Sequence, residues 1–171
     1  INTEYFSQNN VSDAKLQKQI KEWNIDQDKF IILLPGRLTY WKGQKIFIEA
    51  INLLSKNKDV PPFEAIILGS DQGRNVYKKQ LLDLSQQYRL NKIIKFIDHC
   101  EDMPVAYGIA NLVCSCSYEP ETFGRVSVEA QSMQIPIIAS DIGASTETII
   151  KNKTGFLFKN KDPVSLAETI A

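Results

Sequence analysis

Two glutamates stand eight positions apart in the stretch Glu121-Thr122-Phe123-Gly124-Arg125-Val126-Ser127-Val128-Glu129. Ionised carboxylates only accept hydrogen bonds, so a spaced pair suits a ligand that carries hydroxyls at both ends. The apolar run at 111–117 comes just before them and reads as a buried strand. The segment is then a strand, a turn holding Glu121, and a helix carrying Glu129. The first backbone N–H groups of a helix have no internal partner and favour anions such as phosphate. Glu121 sits at one end of such an anion site. Glu129, about six or seven residues into the helix at 1.5 Å per residue, lies roughly 10 Å away. A diphosphate with a hydroxyl-rich group at each end, as in a nucleotide sugar, fits this spacing.

Other residues join this pair. Arg37 and Lys42 flank a turn between a predicted strand and helix, with Gly36 and Gly43 beside them. An arginine grips phosphate through two parallel N–H bonds, and a lysine adds a compact charge. Together they offset the charge of a departing diphosphate without a metal ion. The alternative is an ordinary solvated loop. Phe123, Gly124, Arg125 and Val126 supply the backbone cradle at the helix start, where Gly124 permits close approach. Thr122 either caps that helix or narrows the pocket beside it. Glu119, two positions before Glu121, is a rival carboxylate. Glu129 sits between Val128 and Ala130, where an unpaired buried carboxylate would be costly. Arg74 is a lesser phosphate candidate. Asp26-Gln27-Asp28 spells an acidic metal-binding pattern but precedes the first strand, at the wrong end of the sheet. No nucleophilic triad assembles around the single histidine, His99.

Positioning such residues needs a sheet. Apolar runs at 30–34, 65–68, 93–97, 111–117, 137–139 and 156–158 read as six strands. They are continuous rather than alternating, so both sheet faces are covered. Helical periodicity falls between them: Phe47, Ala50, Ile51 and Leu54 share one face, and Leu81, Leu84 and Tyr88 another. A lead-in helix spans 15–23, a short helix 105–110, and the last residues, 166–171, are helical. Alternating strands and helices predict an α/β, doubly wound parallel sheet, with ligands beyond the carboxyl ends of its strands. Arg37, Gly69, Asp98, Glu121 and Asp141 all follow strands.

Composition narrows the function class. The 171 residues suit one domain, and 43% apolar content suits a packed core. Lys+Arg and Asp+Glu both number 20, so no broad field attracts nucleic acid. No apolar run is long enough to span a bilayer. Three cysteines, an odd number, argue against a disulfide framework. Cys114 and Cys116 read as small core residues in a reducing compartment.

The stretch at 121–129 resembles the E-x7-E motif of retaining GT-B glycosyltransferases, in particular glycosyltransferase family 4. Pro35-Gly36-Arg37-Leu38-Thr39-Tyr40-Trp41-Lys42-Gly43-Gln44 is similar to the family's GR…KG phosphate loop. Asp102-Met103-Pro104 and Ala110-Asn111-Leu112-Val113 resemble the segment before the motif. Pro136-Ile137-Ile138-Ala139-Ser140-Asp141-Ile142-Gly143-Ala144 and Thr154-Gly155-Phe156-Leu157-Phe158 resemble the later strands. The resemblance covers residues 1–171 and implies the C-terminal, Rossmann-like, donor-binding half of a GT-B fold. It implies one nucleotide-sugar-binding domain whose partner, an N-terminal acceptor domain, is absent from this chain.

The resemblance also assigns roles. Glu121 contacts donor-sugar hydroxyls, and Glu129 holds both ribose hydroxyls. Arg37 and Lys42 serve the diphosphate. The loop Ile97-Asp98-His99-Cys100 contacts the base, largely through backbone groups, so His99 is either a loop residue or a base contact. Gly143 lies near the sugar. Many relatives carry glycine where this chain has Thr122, and often where it has Ala144, so donor identity does not carry over. The implied reaction moves a hexosyl group to a hydroxyl acceptor with retention, with no metal and no cofactor. The partners implied are a nucleotide-sugar donor and a membrane-bound, lipid-linked acceptor. The implied setting is cytoplasmic, peripheral to the inner membrane face, in bacterial surface polysaccharide synthesis. Two alternatives stand beside this: a GT-B nucleotide-sugar epimerase, and a non-catalytic nucleotide-binding module.

Overall fold

Strands and helices alternate through the computed structural model, which describes residues 1–73 and 75–171. Arg74 lies outside the described residues. The elements run α1 (Asp13–Glu22), β1 (Phe30–Pro35), α2 (Gln44–Leu54), β2 (Phe63–Leu68), α3 (Asn75–Gln87), β3 (Ile94–Ile97) and α4 (Met103–Ile109). They continue with β4 (Leu112–Ser115), α5 (Arg125–Ser132), β5 (Ile137–Ser140), α6 (Ser145–Thr148), β6 (Phe156–Phe158) and α7 (Pro163–Ile170). Local caps set several ends. The Ser12 hydroxyl accepts from Lys15 N at the start of α1. The Asp162 carboxylate accepts from Val164 N and Ser165 N at the start of α7, with Pro163 in the first turn.

All strand pairs are parallel, in the order β3-β2-β1-β4-β5-β6. Leu33 of β1 pairs with Ile66 on one side and Val113 on the other. The connections run outward in both directions from β1 and β4, so the order reverses between those two strands. Side chains alternate along each strand, and both faces of β1 are buried. Ile32 and Leu34 pack with Phe47 and Ile51 of α2, Leu81 of α3 and Leu166 of α7. Ile31 and Leu33 pack on the other face with Trp23, Val105 and Tyr107 of α4, and Ala130 of α5. This two-sided burial is why the strands read as continuous apolar runs.

The structure corrects some local expectations. The strand expected at 111–117 is shorter. Asn111 stays outside it, its side-chain oxygen accepting the N–H of Ile31 at 2.7 Å. After Ser115 the chain leaves the sheet, although Cys116 and Ser117 stay buried. The one-turn helix α6 has no apolar periodicity to announce it. Cys114 and Cys116 are buried free thiols, and burial pushes both thiol pKa values up. No helix among the described residues is long and apolar enough to cross a membrane.

Candidate functional site

An open cleft of about 740 Å³ lies at the carboxyl ends of β1, β2 and β4. It sits where the strand order reverses, the position at which open parallel sheets bind ligands. Gly36, Arg37 and Lys42 line it from the loop after β1; Glu121 and Phe123 line it from the loop after β4. Gly124, Arg125, Val126 and Glu129 line it from the start of α5, and His99 from the loop after β3.

Backbone packing places the two cations. Gly36 N donates to Leu68 O at 2.8 Å, and Leu38 N to Ser70 O at 3.0 Å. The fully buried Gln44 side chain donates to Arg37 O at 2.8 Å and accepts from the Tyr77 hydroxyl. Burial pushes the Tyr77 hydroxyl pKa up, so that hydroxyl remains a donor. Gly43 has φ 72°, and a Cβ there would stand 1.8 Å from the Cys116 carbonyl oxygen. Only glycine accommodates both the left-handed backbone and that approach. Tyr118 N then donates to Trp41 O at 2.6 Å. The loops after β1 and β4 are thereby stitched together, which brings Lys42 beside Glu121.

Each glutamate is held by one hydroxyl and one cation. Lys42 Nζ lies 2.8 Å from Glu121 Oε1, with the side chains 19% and 24% exposed. The Ser117 hydroxyl donates to the same Oε1. Glu129 accepts from Tyr107 Oη on Oε2 at 2.8 Å and from Arg125 on Oε1 at 3.0 Å. Glu129 is 6% exposed, so these partners supply the compensation that a buried carboxylate needs. The exposed Arg37 guanidinium makes no hydrogen bond or ion pair among the described residues.

The turn into α5 differs from expectation. Gly124, at φ 64°, is the N-cap, with no side-chain cap, so Thr122 does not cap the helix. Glu129 is therefore only four residues beyond the first helical residue, a rise of about 6 Å. Ser127 N and Val128 N both turn back to Gly124 O. Arg125 and Val126, whose N–H groups have no intrahelical acceptor, line the cleft.

Two expected residues lie elsewhere. Asp98 is exposed and pairs with Lys78, outside the cleft lining. Gly143 does not line the cleft. A Cβ on it would meet Pro120 Cα at 2.8 Å and Glu121 N at 2.9 Å, at φ 58°. Ala144 N donates to Glu121 O at 3.0 Å. The Gly143–Ala144 turn therefore buttresses the Glu121 loop from behind. Glu119 lies in a separate depression with Tyr40 and Lys161.

Sequence reasoning passed over Ser117, Tyr107, Ser70 and Met103. Ser117 and Tyr107 read as ordinary core positions, and only folding places their hydroxyls on the two glutamates. Cys100 lines the cleft, donates to Asp102 O, and has its thiol pKa raised, first by burial. Asp26 pairs with Lys29 ahead of β1, at the opposite end of the sheet from the cleft. Among the described residues no cluster of three or more His, Cys, Asp or Glu side chains could hold a metal ion.

The family model for glycosyl transferases group 1 matches residues 16–171. The chain is 25% identical over 162 residues to a D-inositol 3-phosphate glycosyltransferase from Corynebacterium efficiens, covering 94% of this chain and 38% of that protein. A glycosyltransferase structure from Rickettsia africae superimposes with a TM-score of 0.94 at 31% identity, over 99% of this chain and 44% of that one. The Anabaena protein HepE, crystallised in complex with UDP-glucose, superimposes with a TM-score of 0.87 at 27% identity, over 99% and 44%. The chain thus spans less than half the length of each. The matched sequence, the parallel six-stranded sheet and the cleft at its reversal point agree: the chain belongs to the glycosyl transferases group 1 and has the Rossmann-like fold of the C-terminal half of GT-B enzymes.

Proposed function

We propose that this chain binds the donor of a retaining, metal-independent hexosyltransferase, a nucleoside-diphosphate sugar. The observation that carries this reading is one cleft lined by two carboxylates, two cations and a helix N-terminus. The Anabaena protein crystallised with UDP-glucose has the same fold at 27% identity, which supports a nucleotide-sugar donor. Glu129 takes the ribose hydroxyls, the first turn of α5 takes the diphosphate, and Glu121 takes the sugar hydroxyls. Asp98 and Gly143 have no direct contact in this reading. His99 stands at the base end of the cleft.

The chemistry follows from charge. As the anomeric carbon–oxygen bond lengthens, negative charge gathers on the leaving diphosphate. Arg37 and Lys42 neutralise it where a divalent cation otherwise would. Positive charge gathers on the sugar ring, and Glu121 holds the ring hydroxyls in register. The leaving phosphate oxygen takes the proton of an acceptor hydroxyl approaching from the same face. A partner domain supplies the acceptor and excludes water. The acceptor expected is a lipid-linked saccharide at a membrane surface.

Calorimetry with UDP-glucose and UDP, with a chelator present, tests this reading. The expected dissociation constants are about 10 µM to 1 mM, or roughly −7 to −4 kcal/mol. Binding that appears only on adding Mg²⁺ or Mn²⁺ would refute the metal-free claim. Binding of neither ligand by a folded chain, across a panel of nucleoside-diphosphate sugars, would refute the donor assignment.

A further inference from the structure

Glu129 offers a carboxylate to the cleft, but its usefulness depends on which way that carboxylate points. Its two tethers are unequal. Arg125 reaches Oε1 at 3.0 Å from the same helix, one turn earlier, and its side chain is 73% exposed. Such a tether is mobile and screened by water. The other tether comes from α4. Tyr107 is fully buried, and its hydroxyl meets Glu129 Oε2 at 2.8 Å. Its ring packs edge-on against Phe6, with centroids 6.0 Å apart at 75°. A tyrosine has two side-chain torsions, and packing on this scale holds both. We propose that Tyr107 is the positioning residue that aims the Glu129 carboxylate at the vicinal hydroxyls of the donor ribose.

The inference rests on the donor reading and deepens it. Each carboxylate oxygen has two lone-pair positions. The Tyr107 hydroxyl uses one on Oε2, leaving one on each oxygen after Arg125 is counted. Two remaining acceptors on a fixed carboxylate plane match two neighbouring hydroxyl donors. A carboxylate free to rotate presents that pair only part of the time. Tyr107 also stays a donor: burial first, and then the Glu129 charge, push its hydroxyl pKa well above the ordinary range. A buried hydroxyl with a lower pKa would share its proton with Glu129 and blunt the acceptor. The seven residues of α4 thus contribute to the proposed nucleotide site through one hydroxyl that meets a carboxylate on α5.

The test is discrimination between UDP and 2′-deoxy-UDP, measured by calorimetry on the full chain. Wild type is expected to bind UDP about tenfold or more tightly than the deoxy ligand. Tyr107→Phe keeps the ring and removes the hydroxyl, and is expected to shrink that ratio to about threefold or less. Arg125→Ala, a change at an exposed side chain, is expected to retain most of the ratio. Discrimination by wild type and by Tyr107→Phe to the same extent overturns the inference while leaving the ribose reading intact. So does a ratio lost in Arg125→Ala and kept in Tyr107→Phe. Absence of discrimination by wild type overturns the ribose reading and the inference together. If Tyr107→Phe does not fold, the wild-type hydroxyl proton of Tyr107 gives a second readout by proton NMR. Its resonance is expected to move with UDP and to stay in place with the deoxy ligand, and an equal response to both overturns the inference.

Discussion

Lys42 is paired with Glu121 at the cleft. The pair is 2.8 Å apart, and the side chains are only 19% and 24% exposed. Replacing Glu121 with Gln removes the negative charge beside Lys42 and frees that cation for phosphate, while the amide still reaches the Ser117 hydroxyl. An exposed pair of this kind contributes about 0.2–1 kcal/mol, and one broken in a fully buried setting costs several. At one-fifth exposure, about 1 kcal/mol is the reasonable figure. UDP should therefore bind Glu121→Gln roughly fivefold more tightly than wild type. UDP-glucose gains the same increment but loses hydrogen bonds to a charged acceptor, worth about 1.5–3 kcal/mol. Its affinity should fall by about 0.5–2 kcal/mol, roughly two- to thirtyfold. Calorimetry of both ligands on both proteins reads the divergence. Adding Lys42→Met to Glu121→Gln should cancel the gain for UDP. If Glu121→Gln weakens UDP and UDP-glucose equally, Glu121 does not face the sugar and Lys42 is not being withheld.

The remaining predictions concern the ribose end, the loop stitching and acid stability. Glu129→Ala should weaken UDP and UDP-glucose alike by about 1.5–3 kcal/mol, roughly 10- to 150-fold in calorimetry, because both carry ribose. Gly43→Ala forces a side chain into a left-handed turn against the Cys116 carbonyl. The expected cost is about 1–3 kcal/mol, seen by calorimetric melting as a Tm lower by roughly 2–12 °C. Asp162 has a depressed pKa, first because Ser165 N donates to its carboxylate and further through Val164 N and Lys159. Its stabilisation is complete above the ordinary carboxylate value of about 3.9 and is lost as pH falls through the folded-state value. Denaturant melts from pH 5 to pH 2 should therefore show a shallower acid limb for Asp162→Asn than for wild type. The Cys100 thiol should react slowly with a thiol reagent near neutral pH, since burial raises its pKa, and UDP should slow it further; reaction at the rate of a free thiol would place Cys100 outside the occupied cleft.

The sequence by itself determined the layer architecture and half of the cleft. Runs such as Ile31-Ile32-Leu33-Leu34 are apolar at every position because both faces of the strand are buried, and that is a local, readable property. The spacing of Glu121 and Glu129 across a strand–turn–helix junction is equally local, and so is the Gly36 to Gly43 loop. What needed the tertiary structure depends on contacts between segments distant along the chain. The helix start at Gly124 rather than Thr122 follows from a left-handed backbone, which local sequence alone did not distinguish from a threonine cap. Gly143 resembled a sugar contact, and only the tertiary structure shows that its backbone also packs against Pro120 and the Glu121 amide. Asp98 follows a strand as the cleft-lining residues do, but its side chain turns to Lys78, while its neighbour His99 on the same loop lines the cleft. Tyr107 reads as one more apolar helix position, because its ring is indeed core. Only the packing of α4 beside α5 puts its hydroxyl on a carboxylate 22 residues away in the chain. Periodicity records which face of an element is buried, whereas the partner of a buried polar atom is set by how two elements dock.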